Sequence, residues 1–221
     1  MENRIGIAGY TGSGKTTAAN HLVSKGYRLL GFATPLYKLA DIHSTPEIEW
    51  HSRVWGWTED WLKPAGYNAN QISWFAWEAL KFMDKIEVVE GKNRTLLQKL
   101  GTEVGRAMDE NIWTGIFEAT VEKDPKAKIA NDNLRFPNEM DNLVDLDFFT
   151  VFLDVPIEVR MERYEQEYGV RPTEEQLSHE SEKHLPEIRE KSDLIYDNTQ
   201  GKERLYTMLD NVVKGHALLT R

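Results

Sequence analysis

Three glycines, three threonines and a lysine crowd into residues 9–17, GYTGSGKTT, and Gly9, Gly14, Lys15 and Thr16 stand at the spacing G-x-x-x-x-G-K-[ST]. Glycines let a backbone curl until successive N–H groups face one point, which suits an anion, and a lysine at that point adds a full positive charge. The pattern predicts a phosphate-binding loop. In it Thr11, Gly12, Ser13, Gly14, Lys15, Thr16 and Thr17 cradle a nucleoside triphosphate, Lys15 bridges its β- and γ-phosphates, and the Thr16 hydroxyl ligates Mg2+. The bland alternative is a glycine turn that merely starts a helix with Lys15 in water.

Such a loop needs a strand to fix its entry and a helix whose positive end adds to the field. Residues 5–8 are an apolar run, and Ala18, Ala19, Leu22 and Val23 recur at helical spacing until Gly26. Residues 27–33, YRLLGFA, read as a second strand, followed by a helix near Pro35 with Thr34 as its N-cap. From about 45 to 91 the periodicity weakens and aromatics thicken, which suits an inserted helical lobe. The stretch from Arg94 to Val121 reads as largely helical, broken around Gly101 and Asp109. Residues 127–132 and 148–155 then read as strands, the second followed by a helix opening at Pro156, and a last strand (DLIYDN) precedes a closing helix. This alternation predicts a parallel sheet covered on both faces, with ligands at the carboxyl ends of its strands.

The 221 residues suit one domain, 1–221, and the 36 acidic against 27 basic residues give a formal charge of -9. That charge opposes a nucleic-acid backbone, so no long nucleic acid is favoured as a partner. The chain has no cysteine, which removes disulfides and thiolate chemistry. No stretch approaches the roughly 20 apolar residues of a membrane span and the first residues lack a signal-peptide core, so a soluble, cytoplasmic protein without a membrane partner is expected. Five of the seven tryptophans fall between Trp50 and Trp74, either as an aromatic wall or as packing. No N-K-x-D guanine-reading tetrapeptide is present.

Behind the loop come LLQKLGTEVGRAMDENIW (96–113), NDNLRFPNE (131–139) and HESE (179–182), in that order. Together they resemble the phage deoxynucleoside monophosphate kinases, most specifically in GTEVGR with ENIW and in RFPNE; the likeness runs from Ile5 to about Leu209 and is weakest between Pro46 and Gly91. The resemblance implies an α/β fold, the P-loop kinase three-layer sandwich with a central parallel sheet, a helical acceptor-binding insertion (about 45–113) and an arginine-bearing lid (about 156–192). It also implies ATP and Mg2+ as cofactors, a small-molecule dNMP as acceptor, and action in the cytoplasm of an infected host if the chain is phage-encoded. Pairing into a homodimer stays open.

Transfer between two phosphates needs cations outside the loop, because the transition state spreads negative charge over equatorial oxygens while donor and acceptor stay in line. Arg106 and Arg135 match the family's arginines and are candidates for gripping the acceptor phosphate, a task for which a guanidinium fork is suited; for Arg106 a surface pair with Glu103 or Glu110 is the alternative. Arg160 and Arg163, three apart on a helix face, are candidates to meet the triphosphate and the migrating phosphoryl, unless Glu162, Glu165 and Glu167 pair with them. Lys38 is placed near the acceptor phosphate or simply in solvent, Gln98 and Trp113 near the base, with core packing the alternative for the tryptophan, and Glu139 either at the acceptor or as a helix cap. The family carries an aspartate two residues before the RFPNE arginine, but here Asn133 stands there; Asp132, one step earlier, either supports Mg2+ or closes a strand. His179 matches H-x-S-E, and residues 197–201, DNTQG, are where related kinases seat adenine. Three other readings remain: a kinase for a hydroxyl of a modified base in DNA, a phosphomevalonate-type kinase, and a non-enzymatic nucleotide switch.

Overall fold

The computed structural model describes residues 3–89, 91, 93–171 and 180–215. His179 lies outside them. The chain forms two compact units, Phe32–Asp124 and the remainder.

The unit that carries the loop is built on β1 (Arg4–Ala8), whose residues from Ile5 onward are buried. It lies at the centre of a five-stranded sheet of order β2-β3-β1-β4-β5, with β2 at Arg28–Leu29, β3 at Ile129–Asn131, β4 at Phe149–Asp154 and β5 at Leu194–Asp197. Every pairing is parallel. The side chains of β1 alternate. Ile5 and Ile7 meet Ala18, Ala19 and Leu22 of α1 (Lys15–Ser24) and Leu205, Leu209 and Val212 of the closing helix (Lys202–Val213) in one apolar core. On the other face a Cβ on Gly6 would stand 2.7 Å from Leu143 of a helix at Pro137–Asp145, so this helix lies directly on the strand backbone. The helix at Leu185–Lys191 packs beside it, giving the expected three layers.

The expected second strand shrinks to Arg28–Leu29, both exposed at the sheet edge; one further bond, Leu30 N–H to the Ala130 carbonyl, continues the pairing at 2.9 Å. Beyond it a Cβ on Gly31 would meet the Asn133 side-chain amide at 2.4 Å, so the chain turns off against Asn133.

The second unit is helical, as expected for an insertion. It comprises α2 (Thr34–Asp41), a 3-10 turn (Ile42–Ser44), α3 (Glu47–Trp61), α4 (Ala69–Lys85), α5 (Arg94–Gln98), a π-helical segment (Lys99–Arg106) and α6 (Ile112–Glu122). Thr34 is the first helical residue rather than the N-cap; Ala33 holds that position and Pro35 sits in the first turn, where a missing N–H costs nothing. Gly101 does not break the chain either. Helix runs on through it as the π segment, and the real interruption is at Asp109, whose carboxylate accepts from Asn111 N–H and the Tyr67 hydroxyl, each at 2.8 Å. Packing accounts for much of the tryptophan density: Trp57 stacks on Phe75 and donates its Nε1–H to the Pro35 carbonyl at 2.9 Å. Among the described residues no helix is long and apolar enough to cross a membrane.

Candidate active site

β1 ends at Ala8 and the chain enters the loop with Gly9, Gly12 and Gly14 at φ of +144°, +80° and +97°, conformations open to glycine and strained for other residues. Ser13 N–H donates to the Tyr10 carbonyl at 3.1 Å, closing the curl. Gly14 then occupies the N-cap of α1 in a left-handed conformation, with no side-chain cap and no acidic residue in the first turn. The helix thus presents uncapped N–H groups and its positive end to the loop. The Ser13 hydroxyl is buried with no hydrogen-bond partner in the structure. An orphaned buried hydroxyl, inverted glycines and a bare helix start are the features of an anion cradle, and they fit a nucleotide's phosphates.

Lys15 curls back over this cradle, its Nζ donating to the Gly9 carbonyl at 2.7 Å and the Tyr10 carbonyl at 2.9 Å. Burial holds its pKa down at about 8; Arg135 pushes the same way, Glu182 and Asp132 push back, and Arg160 again lowers it. These groups are therefore electrostatic neighbours of one ammonium. Asp132 follows β3, and burial raises its pKa against the opposing pull of Lys15 and Arg135. Thr16 is exposed on the first turn of α1, while Gly12 and Thr17 are half-buried. Among the described residues no group of three or more His, Cys, Asp or Glu side chains could hold a metal.

Several of the expected contact residues have partners within the protein. Thr11 donates both its N–H, at 3.2 Å, and its hydroxyl, at 2.9 Å, to Glu182 Oε1. Arg160 is buried, with its guanidinium 4.6 Å from the Tyr10 ring, Nε donating to the Val155 carbonyl and Nη1 to the Thr11 carbonyl. Arg163 donates Nη2–H to the Asn198 carbonyl at 2.7 Å. These two arginines hold backbone around the loop. Glu139 is buried, and its Oε2 accepts from Arg135 N–H at 2.8 Å and Phe136 N–H at 3.1 Å, the contacts of a helix cap.

In the helical unit, Trp113 is buried, donates Nε1–H to the Gly101 carbonyl at 3.0 Å and sets its ring edge-on to Trp57. A Cβ on Gly105 would be 2.5 Å from that ring. The indole of Trp113 is therefore enclosed and its donor engaged. Arg106 ends the π segment, half-buried, and the Glu103 carboxylate considered as its partner pairs with Lys99. Gln98 is exposed on α5. Lys38 is exposed on α2 and lines an open cavity of about 590 Å3 with Arg53, Lys123, Asp41 and Asp60.

No protein-family model matches the chain. Over 177 residues, 63% of this chain and 70% of the relative, it is 28% identical to deoxynucleoside-5'-monophosphate kinase of Escherichia phage T5. The crystal structure of TT1252 from Thermus thermophilus superimposes with a TM-score of 0.55 at 21% identity, covering 96% of each chain. The likeness is one of fold, which in this chain is an all-parallel five-stranded sheet flanked by helices. Shikimate kinase from Acinetobacter baumannii, at a TM-score of 0.48 and 16% identity over 97% of this chain and 94% of its own, is too distant to add to that.

Two side chains at the loop went unread in the sequence. Glu182 belongs to HESE, yet nothing local shows that it reaches Thr11 and stands 3.7 Å from Arg135. Asn198 lies within DNTQG and donates its side-chain amide to the Ser13 carbonyl at 2.9 Å. A strand followed by a polar turn at the carboxyl edge of a parallel sheet was the available signal for Asn198.

Proposed function

We propose that the protein is a deoxynucleoside monophosphate kinase, transferring the γ-phosphoryl of ATP to the 5′-phosphate of a dNMP to give a dNDP and ADP. The observation that carries the reading is Arg135 beside Lys15: a second cation next to a triphosphate cradle is what joining two anions requires. The likeness to the phage T5 enzyme supports the same choice of acceptor.

Lys15 leaves the Gly9 and Tyr10 carbonyls for the donor's β- and γ-phosphates, and the N–H groups of Gly12 to Thr17 receive the remaining oxygens. Arg135 holds the acceptor phosphate; Arg106, Lys38 and Gln98 are the further residues proposed for recognising the acceptor. An acceptor oxygen forms the new bond to the γ-phosphorus while the bond to the β-phosphate oxygen breaks and ADP leaves. The acceptor phosphate is already ionised, so no general base is needed. Mg2+ supplies charge neutralisation when bound; Thr16 and Asp132 would hold it, the nucleotide's own oxygens completing its shell.

A coupled ADP-release assay across dAMP, dCMP, dGMP, dTMP and 5-substituted pyrimidine monophosphates tests this directly. Turnover should depend on at least one of them. Stimulation by a DNA oligomer alone would instead indicate a hydroxyl kinase, and acceptor-independent ADP release a switch-like NTPase. Lys15→Ala should lower kcat by about 10^3-fold or more, as expected for losing a charge made for the transition state. Arg106→Ala should raise the KM for dNMP about tenfold with the KM for ATP unchanged, as expected for one lost charge-assisted contact.

A further inference from the structure

The phosphate cradle is aimed by side chains behind it as well as by its glycines. Asn198 follows β5 and is buried, with 4% of its surface exposed. Its backbone N–H donates to the Asp154 carbonyl at 3.0 Å, anchoring it to the end of β4. Its carbonyl accepts from Arg163 at 2.7 Å, and its Nδ2 donates to the Ser13 carbonyl at 2.9 Å. We propose that Asn198 is a positioning residue for donor binding, which turns the Ser13–Gly14 peptide so that the Gly14 N–H faces the phosphates. This rests on reading the loop as the triphosphate site.

The reason is geometric. A trans peptide is planar and its C=O and N–H point in opposite directions. Holding the Ser13 carbonyl against Asn198 therefore points the Gly14 N–H in the opposite direction, away from Asn198. Arg160 does the same one peptide pair earlier, its Nη1 on the Thr11 carbonyl at 3.3 Å turning the Gly12 N–H away from it. The glycines serve the braces as well: a Cβ on Gly14 would stand 2.8 Å from Asn198 Nδ2, and one on Gly12 would stand 2.6 Å from the Arg160 carbonyl. Free to rotate, these peptides would present carbonyl oxygens to an incoming anion as readily as N–H groups. Arg163 acts at one remove, by holding the Asn198 carbonyl.

The test is calorimetric titration of inorganic tripolyphosphate and, separately, of adenosine into wild type, Asn198→Asp and Arg163→Gln. Asn198→Asp keeps the side chain's size but sets an anionic oxygen against the Ser13 carbonyl. It should weaken tripolyphosphate at least tenfold and leave adenosine within twofold; Arg163→Gln should weaken tripolyphosphate about threefold. If Asn198→Asp does not fold, Arg163→Gln decides by the same criterion. Unchanged tripolyphosphate affinity in a folded variant overturns the inference, as does an equal loss for adenosine, which would make the residue part of an adenine seat. A wild-type protein that binds no tripolyphosphate would instead overturn the phosphate-loop reading itself.

Discussion

Deprotonating Lys15 removes the cation from the cradle, and its pKa of about 8 puts that loss within reach of a simple titration. Only the ammonium attracts a triphosphate, so affinity for a non-hydrolysable ATP analogue should fall as pH rises through about 8. The neighbours set the midpoint with known signs. Glu182 raises the Lys15 pKa, so Glu182→Gln should move the fall to lower pH; Arg135 depresses it, so Arg135→Gln should move the fall to higher pH. Calorimetry across that range checks both shifts, and shifts of the same sign in the two variants would contradict this electrostatic picture. The loop itself was legible from spacing alone, since its chemistry is written in nine consecutive residues. Glu182 and Asn198 were not, because their partners in the loop lie 171 and 185 residues away and a carboxylate or amide gives no periodic signal. Glu139 and Trp113 stayed open between a ligand contact and a structural role, because the same atoms that recognise a substrate also cap helices and fill cores.

At the scale of elements, the π segment is the feature that most shapes the helical unit. A glycine in a helical pattern reads as a weak point, which is why a break was expected at Gly101. Instead Gly101 offers its carbonyl to Trp113, and Gly105 admits the indole ring to the helix backbone. GTEVGR and ENIW are thus one packing module that carries Arg106 at the end of its π segment. Gly105→Ala would drive a methyl group to 2.5 Å from the ring, and overpacking of this kind costs about 1–3 kcal/mol. Chemical denaturation should show that loss, and the KM for dNMP should rise because the neighbouring Arg106 shifts with the turn. The strands and their parallel order followed from apolar runs alternating with helices. Strand length did not: β2 is an exposed edge, where pairing ends once the chain meets Asn133.

Over the whole molecule, a nucleotide that binds only the folded state should raise its stability by about 2.7 kcal/mol at a hundredfold excess over Kd. Differential scanning calorimetry with an ATP analogue should show the matching rise in Tm in wild type and little or none in Lys15→Ala. The surplus of acidic residues predicts no comparable shift with a DNA oligomer. The phosphate loop lies near the start of the chain, but three of its supports, Arg160, Glu182 and Asn198, come late. Synthesis proceeds from the N-terminus, so the loop emerges from the ribosome well before the residues that brace it. Until Asn198 has been translated, the nascent loop lacks the bond to its Ser13 carbonyl, and a ribosome-bound fragment ending short of that residue has no complete frame with which to capture nucleotide.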